Sequence, residues 1–355
     1  MREAMYYVKR EDGRVQCQLC PKMCAIPEGR NGFCKVRRHE GGKLLALNYA
    51  RVASYGMDPI EKKPLYNFYP GSDIFSMGTF GCNLSCAFCQ NWEISQQNAP
   101  TVEIPPEAAV HIAVRQRDES GGNVGIAYTY SEPFMWYEYV LDTAKLAHEA
   151  GLKNVMVTNG SVTEEPLKEI LPHIDAMNID VKAFTEKFYH HTCKGGLGPV
   201  RRTVEIAHGA GVHVELTNLI IPTLNDSPEE ITALVDWVAS IDPDTPLHFS
   251  RYFPNYKLEI DPTPAETLQM AYDIARKKLH YVYVGNIAGG DGHDTVCPAC
   301  GAKVVERGGM GLRRNRLRDG YCPECGEAIK VIDQAIQAQG SAPPAAGERA
   351  RLRRV

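Results

Sequence analysis

The sequence predicts an α/β fold: a partial (β/α)6, TIM-like barrel between a cysteine-rich N-terminal segment and a C-terminal zinc ribbon. Two observations carry this. From Asp73 to about Gly285, short apolar runs alternate with amphipathic stretches, which is the pattern of repeated βα units. On either side, cysteines gather at metal-ligand spacing.

Residues 1–72 form the N-terminal metal-binding region. Cys17, Cys20, Cys24 and Cys34 supply four thiols, and Gly29 and Gly32 mark the turn that returns Cys34 to the others. Spacing alone leaves zinc and an auxiliary iron–sulfur cluster both open, with a lean to a structural metal. Residues 73–288 form the barrel. Its strands are expected at 74–80, 123–129, 154–158, 176–181, 212–221 and 246–252, with helices at 106–119, 136–150, 164–172, 199–210 and 228–240. Pro106 and Gly151 fit helix start and stop positions. Six units suggest an open barrel, and 281–286 adds an edge strand. Residues 289–333 form the ribbon and 334–355 a disordered tail, whose arginines read as solvated.

Composition narrows the function. The 355 residues are 44% hydrophobic and 23% charged, which excludes a disordered or fibrous chain. The formal charge of -4 gives no global attraction to nucleic acid or membrane. No apolar run approaches the roughly 20 residues that span a bilayer, and the start lacks a signal-peptide core. A cytoplasmic location is expected. Twelve cysteines in a large, unexported chain argue for metal rather than disulfides.

The C-terminal group is the plainest. Cys297-Pro-Ala-Cys300-Gly and Cys322-Pro-Glu-Cys325-Gly are near-identical knuckles separated by 21 residues. Four thiolates close a tetrahedral site for zinc, with rubredoxin-like iron as the competitor. The arginine-rich stretch 313–318 between them reads as a solvated tip rather than a nucleic-acid contact, because it lacks interleaved aromatics.

The middle group is different. Cys82, Cys86 and Cys89 follow directly on the first barrel strand, at the end where such folds place catalysis. Three thiolates on a four-iron cluster leave one iron open for chemistry. A zinc site completed by a distant histidine is the alternative, and none of the 11 histidines falls in this loop. Polar residues collect at later strand ends: Thr129, Ser131 and Glu132; Thr158 and Asn159; Asn178, Asp180 and Lys182; and His248 on the sixth strand. Their convergence on one three-cysteine loop marks a site. Cys193 stands apart and reads as a structural thiol rather than a hydrogen-atom donor.

The Cys82-x3-Cys86-x2-Cys89 loop, with Phe88 before the third cysteine, resembles the signature of the radical S-adenosylmethionine enzymes. The likeness covers about 74–288 and lies nearest the branch of the pyruvate formate-lyase activating enzymes. The N-terminal cysteine block, the Thr129-to-Pro133 segment and the terminal ribbon together resemble the AmmeMemoRadiSam-system radical enzymes. The resemblance implies a [4Fe–4S] cluster on Cys82, Cys86 and Cys89, whose open iron is chelated by S-adenosylmethionine. It implies that Phe88 lies near the adenine and that Thr129, Ser131 and Glu132 bind the cofactor, with Glu132 gripping its amino group. Tyr130 and Ser131 replace the usual two glycines there. Thr158 and Asn159 would serve the ribose or carboxylate, His248 the ribose hydroxyls, and Asp180 with Lys182 the reaction at the mouth. A one-electron donor of flavodoxin or ferredoxin type is implied, with a small-molecule substrate, or a partner protein as in the activating enzymes. A zinc-ribbon nucleic-acid-binding protein is the competing class.

Overall fold

The structure is a computed structural model that describes residues 1–97, 99–289, 292–309 and 311–333. The expected disordered tail, 334–355, lies outside the described residues. The chain divides into two units: one of Met1–Asp58, Asp73–Val214 and Pro254–Asp261, the other of Pro59–Ser72, Glu215–Phe253 and the chain from Pro262 onward.

The first unit is built on four parallel strands, Asp73–Gly78, Asn123–Tyr128, Lys153–Thr158 and Ala176–Asp180, neighbours in chain order. Tyr128 stands opposite Met77 on one side and Met156 on the other, and Thr158 opposite Ile179. Every residue of Asn123–Tyr128 is buried, as a parallel strand covered on both faces requires. Asn123 secures the entry: its Oδ1 accepts from the Phe75 and Gly125 N–H groups, and its Nδ2 donates to the Ala113 carbonyl. Gly125 is obligatory there, because a Cβ would stand 1.9 Å from the Lys153 carbonyl oxygen. Helices Pro106–Ser120, Tyr137–Glu149 and Glu164–Ile170 link successive strands, and Leu197–Gly209 follows the fourth. Pro106 starts its helix as expected.

The N-terminal region also carries strands that no hydrophobic period announced. Arg2–Glu3, Lys43–Ala46 and Arg37–Glu40 make one antiparallel sheet, and Tyr7–Lys9, Val15–Cys17 and Ala25–Ile26 another. Runs of two to four residues are too short for alternation to register. Arg37 from this region forms a fully buried ion pair with Glu138 at 2.6 Å.

The strand His213–Ile220 begins as the first unit ends and carries the chain into the second. There it pairs in parallel with Leu247–Arg251, which pairs in turn with Val282–Gly285, the expected edge strand. Helix Pro228–Ile241 is capped by Ser227, whose hydroxyl accepts from the Glu230 N–H. Helix Ala265–Ala275 lay outside the expected elements. A three-stranded antiparallel sheet, Thr295–Val296, Lys303–Gly308 and Gly311–Asn315, follows, and Cys297 and Cys322 are buried with Tyr281, Tyr283, Val304 and Val331. Among the described residues, no helix is long and apolar enough to cross a membrane.

Candidate active site and metal centres

The Cys82 loop leaves the carboxyl end of the Asp73–Gly78 strand. Gly78 lets it pass, since a Cβ there would meet the Thr129 carbonyl oxygen at 2.4 Å. Backbone bonds then fix the loop: the Ser85 and Ala87 N–H groups donate to the Cys193 and Thr192 carbonyls, and the Lys257 N–H donates to the Ala87 carbonyl. Asn83 donates to the Ser161 carbonyl at 2.6 Å, and Gln96 to the Leu84 carbonyl. Cys86 is buried, while Cys82 and Cys89 are half-buried. Burial pushes the Cys82 thiol well up, and the Glu132 carboxylate adds to it. Cys86 goes the other way: a hydrogen bond from the Cys193 thiol, helped by the Lys182 charge, overcomes burial and favours its thiolate.

Glu132, Thr158 and Asn159 meet beside this loop. Glu132 is fully buried and accepts three hydrogen bonds, from the Phe134 N–H at 3.0 Å, the Thr158 hydroxyl at 2.7 Å and the Asn159 N–H at 2.8 Å. Burial still pushes its carboxyl up to about 7, against those three bonds. Asn159 turns its amide on the loop, donating to the Cys82 Sγ at 3.6 Å and the Asn83 Oδ1 at 3.0 Å. Thr129, just past its strand, donates its N–H to the Met77 carbonyl. Ser131 Oγ is buried with no hydrogen-bond partner. Tyr130 adopts a positive φ of 70°, the conformation glycine favours, and its hydroxyl donates to Asp58 at 2.7 Å. That bond anchors the tyrosine in backbone geometry that glycine adopts most readily.

Asp180 and Lys182 form an ion pair at 2.9 Å. Burial works against the Lys182 charge, yet Asp180, Cys86 and Cys193 outweigh it and push its pKa well up. Phe88 is buried, with the Lys182 Nζ 5.8 Å from its ring centre. Cys193 ends a π-helical turn, Tyr189–Cys193, fully buried against Cys86.

His248 lies in the second unit, where its Nε2 meets Glu215 at 2.6 Å and its ring packs edge-on to Tyr66. Glu215 also accepts from the Tyr66 and Asn67 N–H groups. The ribbon cysteines converge: Cys297 and Cys325 sulfurs are 3.6 Å apart, Cys300 and Cys322 3.7 Å, and all four lie within 4.8 Å. A Zn–S bond of about 2.3 Å implies a tetrahedral edge of about 3.8 Å, so one ion fits. Gly301 and Gly326 take matching φ of 75° and 76°, which turns both knuckles alike.

The radical SAM superfamily model matches residues 77–238. An uncharacterized protein of Methanocaldococcus jannaschii is 44% identical over 94% of this chain and 100% of its own length. The Clostridium pasteurianum pyruvate formate-lyase-activating enzyme is 28% identical over 45% of this chain and 67% of its own. The structure of Streptococcus suis SuiB bound to S-adenosylmethionine is 14% identical, covers 61% of this chain and 49% of that one, and superposes with a TM-score of 0.48.

The chain belongs to the radical SAM superfamily. It is an enzyme related to the pyruvate formate-lyase activating enzymes. Membership implies a [4Fe–4S] cluster and S-adenosylmethionine, and the residues present fit both. Three sulfurs without a fourth in the loop match a cluster with one open iron, and the orphaned Ser131 hydroxyl offers a buried donor and acceptor to a polar ligand.

For this radical SAM enzyme, sequence reasoning missed several residues. Asn83 lies inside the cysteine loop and carries no motif of its own. Trp92 stacks on Tyr256 at 5.2 Å and 12°, from a segment, 254–261, that had no strand or helix signal. Glu215 had a usable signal: a carboxylate in the middle of an apolar strand.

Proposed function

We propose that this enzyme cleaves S-adenosylmethionine reductively at the Cys82 loop and uses the resulting radical to take hydrogen from a small molecule. The observation that supports it most is the three-cysteine loop at a strand's carboxyl end, with Asn159 and Glu132 locked beside Cys82. When bound, a [4Fe–4S] cluster on Cys82, Cys86 and Cys89 supplies one electron that breaks the sulfonium–C5′ bond, leaving methionine and a 5′-deoxyadenosyl radical.

The protein's own residues then bind and orient. Glu132, with Thr129 and Ser131 beside it, takes the cofactor's ammonium, and a carboxyl raised to about 7 becomes a firm anion once that cation arrives. Thr158 and Asn159 aim it, and Phe88 offers an apolar face. Asp180 and Lys182 hold the substrate and keep stray water from its reacting C–H bond. The wider reading has an open six-unit barrel, zinc in the ribbon, a flavodoxin- or ferredoxin-type donor and a cytoplasmic setting. It places the enzyme with the AmmeMemoRadiSam-system group. A second reading, an activase that sets a glycyl radical on a partner protein, draws on the activating-enzyme relatives.

The test is anaerobic reconstitution of the wild type beside a Cys82→Ala/Cys86→Ala/Cys89→Ala variant, each given dithionite and S-adenosylmethionine. 5′-Deoxyadenosine from the wild type alone is expected. A cluster-loaded wild type that makes none would sink the reading.

A further inference from the structure

Asn83 belongs to the Cys82 loop, yet it also borders the other cysteine group of the first unit. It is fully buried and lines one pocket with Cys17, Cys20, Cys24 and Cys34. Burial raises the Cys20 thiol, and the Asn83 side chain is among the donors that offset this. No other residue of the Cys82 loop lines that pocket.

Both ends of the Asn83 amide are engaged. Its Nδ2 donates to the Ser161 carbonyl at 2.6 Å, the Ser161 N–H donates to Asn159 Oδ1 at 2.8 Å, and Asn159 Nδ2 donates to Asn83 Oδ1 at 3.0 Å. These bonds close a ring, so neither amide can turn without breaking two of them. Asn159 carries the ring to the cofactor side. Its Nδ2 also reaches Cys82 Sγ at 3.6 Å, and its N–H donates to Glu132 Oε2 at 2.8 Å. Two residues beyond Ser161, Thr163 holds the N-terminal turn between Cys17 and Cys20. Its hydroxyl donates to the Gln18 carbonyl at 2.7 Å and its N–H to the Leu19 carbonyl at 3.2 Å. A metal on the N-terminal cysteines, zinc or iron–sulfur alike, would fix that turn. The turn in turn bears on the 159–163 loop through Thr163 and on the ring through Asn83.

We infer that Asn83 is a positioning residue that couples the N-terminal cysteine site to the Cys82 loop, so that metal at the first site tightens the hold of Asn159 and Glu132 on S-adenosylmethionine. The inference rests on the cofactor chemistry proposed for that loop, and it holds for either metal.

The test titrates S-adenosylmethionine calorimetrically into the full chain, reconstituted anaerobically and left unreduced so that no cofactor is cleaved. The stoichiometry counts loaded loops, and Kd reads the grip at those loops. Asn83→Ala is expected to raise Kd about 10- to 100-fold, the usual cost of losing an outer partner of a metal site, with the stoichiometry kept. Cys20→Ala should raise it too, and the double variant should lose less than the product of the two single effects, because both changes cut one link. Thr163→Val keeps every cysteine and loosens the same turn, so it answers, with the same expectation, where Cys20→Ala fails to fold. A Kd unmoved by Asn83→Ala, one unmoved by loosening the N-terminal turn, or effects that simply multiply would overturn the coupling and leave the radical reading intact. A wild type that carries iron and sulfide but binds no S-adenosylmethionine overturns both.

Discussion

Thr158→Val isolates one hydrogen bond at the centre of the site. The Thr158 hydroxyl donates to the Glu132 Oε1 at 2.7 Å, within the range of a charge-assisted bond, and neither residue is more than 1% exposed. Valine keeps the shape and removes the donor. A hydrogen bond to a charged group contributes about 1.5–3 kcal/mol, and 1.36 kcal/mol is one pH unit of ionisation. The Glu132 carboxyl, at about 7 in the wild type, should therefore titrate about one to two pH units higher in the variant. The sign follows from the direction of the shift. Glu132 holds its proton in the folded chain where the unfolded chain, near 4.5, has lost it, so stability falls as pH rises from about 4.5 to about 7 and levels off above. For this buried group the loss is about 3 kcal/mol, and in the variant it deepens by about the value of the missing bond and continues to higher pH. The assay is carbon-13 NMR of labelled glutamate, with urea melts at pH 5 and pH 8.5. An unchanged or lowered Glu132 titration, or a destabilisation equal at both pH values, would refute the reasoning.

Three further outcomes follow from the same structure. Arg37→Met strands the Glu138 carboxylate in the interior and should cost about 3–5 kcal/mol in denaturant melts, most of it recovered in Arg37→Met/Glu138→Met; equal cost in the double variant would argue against the pair. Lys182→Met removes a half-buried cation that favours the Cys86 thiolate, so the potential of a cluster on the loop should move negative, by on the order of 1 kcal/mol. A redox titration followed by electron paramagnetic resonance reads this, and a positive move contradicts it. Cys297→Ser/Cys322→Ser should release one metal per chain and open the ribbon to proteolysis, because an ion bound only by the folded state stabilises that state; unchanged protease resistance would deny the metal a structural role.

The parts of this enzyme that sequence made legible are those with short-range causes. The Cys82 loop and the two ribbon knuckles are written within a few residues, because one turn aims neighbouring thiols at one point. The βα alternation is a local record of burial, and the strands at 123–128, 153–158 and 176–180 fall within a residue or two of expectation. What tertiary structure decided needs residues far apart in the chain. The three donors on Glu132 come partly from 26 and 27 residues away, and only their meeting turns a loop carboxylate into one held near pH 7. Glu138, 101 residues from Arg37, looked like an ordinary helix glutamate until the fold buried it against that guanidinium. The N-terminal cysteines showed the same division. Their spacing named a metal site, but the buried Arg37 that lines the same pocket is brought there by the backbone that folds around them.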